Sequence, residues 1–134
     1  MRNKSKLAKI KKNKTPKIQK PGDWLYMCPK ELELAQIKDA LEKEYSVEFW
    51  EEAGVLEVEL KTEESASVDF ETVDMHRADE VTAEYMDAND VKMVFLVSIR
   101  PESFEAAKVV MEKVIAVCGG FFCGDTADFM PVVK

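Results

Sequence analysis

Apolar and polar positions divide this chain into elements by their spacing. From Val91 to Ile99 the residues Met93, Val94, Phe95, Leu96 and Val97 are apolar in succession. Neighbouring side chains of a strand point to opposite faces, so this run predicts a central strand covered on both faces, or covered on one and shielded by a partner on the other. Pro101 suits a first helical turn, where the N–H it lacks would be unpaired, and Glu102 and Glu105 put negative charge at the positive helix end. Phe104, Ala107, Met111, Val114 and Cys118 then recur every three or four residues and define one stripe, which Val110, Ile115 and Val117 widen into a heavily buried helix. Gly119 and Gly120 can take the left-handed conformation that ends a helix, and Phe121, Phe122 and Cys123 begin a return strand.

The residues before this unit complete a sheet beside it. Trp24 to Cys28 is a short strand, and Pro29 opens a helix running to about Tyr45, with Leu34, Ala35, Ile37, Leu41 and Tyr45 inward and Lys38 and Glu42 paired on the wet side. Val47 and Phe49 alternate with Glu48 and Trp50, and Leu56, Val58 and Leu60 alternate with Glu57 and Glu59 across a Glu51 to Gly54 turn, which predicts a hairpin with one buried face. A polar loop from Lys61 to Ser67 leads to another alternating strand, Val68 to Thr72. Asp79 caps a short helix to about Asp87, with Val81, Tyr85 and Met86 facing inward.

In order the elements are β-α-β-β-β-(α)-β-α-β. The pattern predicts an α+β domain: an antiparallel or mixed sheet with two long amphipathic helices on one face, a split β-α-β sandwich of the ferredoxin-like kind. That architecture hosts many activities and selects none.

Charge changes the picture of the first residues. Residues 1 to 20 hold nine Lys or Arg and no acid, whereas residues 21 to 134 hold ten basic and 26 acidic residues, so a +9 segment precedes a −16 one. With Leu7, Ala8, Ile10 and Ile18 as its apolar residues, the segment 1–22 reads as a disordered basic tail, and 23–134 as a single acidic domain. The tail is either a solubilising extension, free or lying back on its own acidic domain, or an arm for nucleic acid or an anionic membrane surface. No apolar run approaches the roughly 20 residues of a membrane helix, and an odd count of three cysteines without a signal peptide fits reduced thiols in a cytoplasm.

Candidate chemistry is sparse. The chain has no GxGxxG, GxxxxGK, HExxH or GxSxG, and Asp87 to Lys92 starts like a calcium loop but puts Val91 and Lys92 where a ligand and the glycine belong. Cys28, Cys118, Cys123 and His76 have the donor types for zinc, but four residues separate Cys118 from Cys123 and Cys118 lies on the helix stripe, so the cysteines read as core residues and no metal or cofactor is implied. His76, Asp125 and Asp128 are the candidates for acid–base work, against the plainer readings of a loop histidine and a carboxylate-bonded turn. Ser98, Arg100 and Ser103 surround a helix start and make a candidate anion site, with ordinary capping as the alternative.

The function these residues imply is a non-catalytic protein-interaction or small-ligand-binding module. The alternatives are a small enzyme built on Asp125, Asp128 and His76, with or without the help of a divalent metal, and nucleic-acid binding through the tail. Trp50, Val55 and Val73 alternate outward, and a homodimer joined face to face through the sheets would cover Trp50 and the outer half of the Met93 to Val97 run; the competing account folds the segment from Asp74 to Asp90 over that face.

Overall fold

The computed structural model describes residues 20–62 and 64–134, with the side chain of Arg77 set aside. The expectation of a disordered tail lies, for residues 1–19, outside the described residues; Gly22 already accepts a hydrogen bond from the Ile99 N–H at 2.8 Å.

Among the described residues, seven strands and three α-helices make a mixed α+β fold. In chain order they are β1 (Asp23–Cys28), α1 (Leu34–Leu41), β2 (Val47–Trp50), β3 (Val55–Glu59), β4 (Ser67–Thr72), α2 (Glu80–Ala88), β5 (Met93–Ser98), α3 (Phe104–Cys118), β6 (Phe121–Gly124) and β7 (Val132–Val133). The strands form one sheet in the order β2-β3-β4-β5-β1-β6-β7, and every neighbouring pair is antiparallel. Both β1 and β4 border β5, so these two run in the same direction. Among the described residues no helix is long and apolar enough to cross a membrane.

Strand parity sorts the side chains into two layers. Trp24, Tyr26, Leu56, Val58, Phe70, Phe95, Val97 and Phe122 point to the face that carries α1 and α3, where they meet Ile37, Leu41, Ala107, Val110, Met111 and Val114 in the main core. Leu25, Met27, Val94 and Cys123 point the other way and meet Met86 of α2 and Phe129 of the loop after β6. Tyr85 stacks on Phe129 with ring centroids 4.0 Å apart, holding that loop against α2 although Phe129 sits at φ +57°.

Several expectations need correction. The first helix does not start at Pro29: Pro29 to Glu33 stays non-helical, and the reciprocal bonding of Glu33 and Gln36 starts the helix at Leu34, leaving eight helical residues in place of a long helix. Pro101–Ser103 forms a 3-10 turn, and α3 proper begins at Phe104. Val117 does not widen the buried stripe, being 61% exposed, because it falls off the α3 face that packs on the sheet. In α2 Met86 is buried and Tyr85 half-buried, but Val81 is exposed. The strand β7 was not anticipated; two valines after a proline carry little periodicity to read.

Tyr26 ties the main core to the end of α3. Its hydroxyl donates to the Gly119 carbonyl at 2.6 Å, and burial raises the phenol pKa well above its ordinary value. Removing that hydroxyl in Tyr26→Phe leaves the carbonyl without this donor and is expected to lower stability by about 1 kcal/mol. Urea unfolding of the two proteins checks it; coincident midpoints would show that the bond contributes nothing net.

Candidate functional site

The second sheet face is covered unevenly. α2 and the loop from Gly124 to Pro131 lie over β1, β6 and the upper part of β5, while Trp50 and Leu96 remain 47% and 38% exposed. The uncovered half is where the register matters. Successive strand pairings place Glu48 opposite Glu57, Glu57 opposite Asp69, Asp69 opposite Ser98, and Ser98 opposite Asp23. Asp125 extends the line, since its N–H donates to the Asp23 carbonyl at 2.9 Å. Five carboxylates and one hydroxyl therefore form a single row across six chain segments, spanning roughly 24 Å at the usual spacing of about 4.8 Å between strands.

The β2, β3 and β4 end of the row forms a trough of about 580 Å³, whose lining includes Glu48, Glu57, Glu59, Asp69, Ser67 and Ser98 together with Ser65, Ile99 and Arg100. Ser67 Oγ donates to Asp69 Oδ1 at 2.9 Å, fixing that carboxylate. Glu57, at the centre, has its carboxyl pKa raised by desolvation and then by the negative charges of Asp69, Glu48 and Glu59. Asp125 is raised in the same way, by desolvation first and then by Asp23 and Asp79. Among the described residues the ion pairs lie elsewhere: Lys38 joins Asp39 at 3.5 Å and Glu42 at 3.1 Å, and Lys113 joins Glu44. None of the row's carboxylates has an ion-pair partner there.

Like charges placed directly opposite in a sheet destabilise it, by an amount within the roughly 0.2–1 kcal/mol range of cross-strand pairs. Replacing Glu57 with Gln is therefore expected to raise stability by a few tenths of a kcal/mol at pH 7. The pH dependence has a defined sign. A raised carboxyl pKa means that the folded state binds the proton more readily, so Glu57 destabilises the fold above that raised value and stops doing so as pH falls through it. The difference between wild type and Glu57→Gln in thermal unfolding should shrink on acidification into the glutamate range. An unchanged difference from pH 7 down to about 4 would mean that the charge is not the cause.

The residues singled out from the sequence are not all brought together. Ser98 stands inside the row and Arg100 lines the trough, but Ser103 lies away from it at the start of α3, beside Glu102 and Glu105. Asp125 joins the row, whereas Asp128 Oδ1 accepts the Met130 N–H at 3.1 Å within its own turn. His76 is exposed in a 3-10 turn, where Asp74 accepts its backbone N–H at 3.0 Å. Cys28 and Cys118 lie in the core under the helices and Cys123 in the cluster under α2, so the sheet itself separates them. Burial pushes the Cys28 and Cys123 thiols up to about 12, which keeps them protonated and unreactive. A smaller cavity of about 340 Å³ between Met27, Val91, Phe121 and Lys134 is chiefly apolar.

Sequence reasoning missed Glu48, Glu57, Asp69 and Asp23 as a group. Glu48, Glu57 and Asp69 were legible as polar residues alternating with the buried face of their own strands, whereas Asp23 precedes the first strand as read from Trp24; their alignment is a property of register, which four separate strands specify only together. No protein family, curated protein or solved structure matches the chain.

Proposed function

We propose that this protein is a non-catalytic binding module whose open sheet face receives a cationic protein segment. The observation that carries the reading is the row of carboxylates that face one another across the strands and form no ion pair among the described residues, with Arg100 the one cation in the lining of the trough. A strand or helix with Lys and Arg at the matching spacing relieves that repulsion. The neighbouring row, in which Trp50 pairs with Val55, Val55 with Glu71, and Glu71 with Leu96, adds exposed apolar surface beside the charge. An aromatic anchor next to steering charge is the usual composition of a protein-binding surface. The same face repels nucleic acid.

The finer fold reading belongs with this proposal. β1 and β4 running in one direction on either side of β5, with α1 and α3 on one face, support a split β-α-β core of the ferredoxin-like kind in which the β2–β3 hairpin widens the sheet. That widening creates the uncovered half. Three buried free thiols support a reducing, cytoplasmic setting.

Binding is tested with a twelve-residue Lys- and Arg-rich peptide, read by the fluorescence of Trp50, the exposed one of the two tryptophans. The expected result is a saturable change that weakens steeply as salt rises. Absence of binding at low salt would overturn the reading.

A further inference from the structure

The carboxylate row ends at an open strand edge. We propose that the cationic partner binds there in extended form, as an antiparallel strand added to β2, with Lys or Arg opposite Glu48 and Trp50 and apolar residues opposite Val47 and Phe49. This rests on the reading of the face as a cation-binding surface and adds the form its ligand takes.

The edge has unused backbone groups. β2 is the outermost strand, with β3 on one side and no strand among the described residues on the other. The Glu59 N–H donates to the Ser46 carbonyl at 2.9 Å, and hydrogen-bonded pairs alternate along an antiparallel ladder, so Ser46, Glu48 and Trp50 direct their backbone groups to β3. Val47 and Phe49 therefore point their N–H and C=O groups outward, where no backbone group among the described residues answers them. Edges kept from pairing are commonly very short, bent by a bulge, or guarded by Pro or Lys. β2 pairs with β3 residue for residue and holds neither Pro nor Lys, whereas the opposite edge, β7, is two residues long and follows Pro131.

Parity fixes what an added strand meets. Glu48 and Trp50 share the open face, and Val47 and Phe49 the helix side, where both are half-buried against the main core. An antiparallel partner forms its hydrogen-bonded pairs with Val47 and Phe49, and its non-hydrogen-bonded pairs with Glu48 and Trp50, where opposing Cα atoms are about 4.5 Å apart and side chains closest. A Lys opposite Glu48 sits at the open end of the carboxylate row, with Glu57 the next acid in line. A second cation opposite Trp50 can lie on an indole that is 47% exposed. Apolar residues at the other two positions carry the main core past Val47 and Phe49.

Charge decides between partners. A second copy pairing β2 with β2 about a two-fold axis at Glu48 sets Glu48 against Glu48 and joins two carboxylate rows end to end, which like-charge repulsion opposes. A strand alternating Lys or Arg with apolar residues meets opposite charge on the open side and apolar surface on the helix side. In strand addition the backbone bonds supply affinity and the alternating side chains supply specificity.

The experiment titrates the full chain at low salt with an acetylated eight-residue peptide alternating Lys with Val, and with two forms of it, N-methylated on the two central Val amides or on the two central Lys amides. Val residues occupy the hydrogen-bonded pairs, so their amides face β2 and the Lys amides face solvent. The expected result is that the Lys-methylated form binds within about threefold of the parent and the Val-methylated form at least about tenfold more weakly. In the complex the Val47 and Phe49 amides should gain protection from hydrogen exchange, while those of Glu48 and Trp50, already bonded to β3, change little. Equal affinity of the two methylated forms, or no gain in protection at Val47 and Phe49, overturns strand addition and leaves the face reading intact; so does failure of the alternating peptide where the Lys- and Arg-rich peptide binds. Val47 and Phe49 amides protected before any peptide is added give the edge to another occupant, a second copy of this chain among them, and overturn it too. If neither peptide binds, the face reading fails and the proposal falls with it.

Discussion

Replacing Phe122 with alanine is expected to destabilise the protein by about 3–5 kcal/mol, a large share of the stability of a domain this size. Phe122 is fully buried on β6, stacks on Tyr26 with centroids 4.5 Å apart, and meets Phe70 edge-on at 6.1 Å. Tyr26 in turn stacks on Phe95. The ring therefore sits among aromatic side chains from β1, β4 and β5, and removing it leaves a cavity that rigid neighbours cannot close. Its sequence neighbour Phe121 points to the other face, is half-buried and touches Tyr85 edge-on at 6.4 Å, so Phe121→Ala should cost clearly less. Urea unfolding of both variants checks the ordering. A larger loss for Phe121 would mean that the main core is not where the stability resides.

That pair of residues also illustrates what was legible in the sequence. Phe121 and Phe122 read as a strand start, and period-two alternation assigned the buried face of β3 and β4 correctly through Leu56, Val58, Val68 and Phe70. The unbroken run of β5 implied covering on both faces, or on one face with a partner shielding the other; Phe95 and Val97 lie under the helices and Val94 under α2, while Leu96 stays exposed. Helix boundaries were less legible. Pro29 looked like a helix start, but the chain first spends five residues placing Leu32, whose N–H lies 3.3 Å from Met93 Sδ, and only the Glu33 and Gln36 pair begins the helix. The carboxylate row was not legible at all, because its members lie in separate strands or, for Asp125, in the loop after β6, and each is an ordinary polar residue in its own segment. Only the antiparallel order, which sets β4 between β3 and β5 and β5 beside β1, converts scattered acids into a line.

Reversing one charge in that line is expected to move stability and binding in opposite directions. In wild type Glu57 faces Glu48 on one side and Asp69 on the other, so two like-charge pairs meet at one residue. In Glu57→Lys both become opposite-charge pairs, each worth roughly 0.2–1 kcal/mol, and the unfolding midpoint should rise. The same lysine stands at the centre of the trough, where it repels the cationic segment and occupies two of the carboxylates that segment needs. Affinity for the Lys- and Arg-rich peptide should fall by at least about a hundredfold at low salt, since like-charge juxtaposition across an interface costs several kcal/mol. A matched change at Glu105, exposed on α3 outside the trough, should leave the peptide affinity within about twofold. Loss of binding together with gain of stability separates recognition from folding, because a misfolded variant would lose both. Unchanged affinity in Glu57→Lys would remove the carboxylate row as the binding surface.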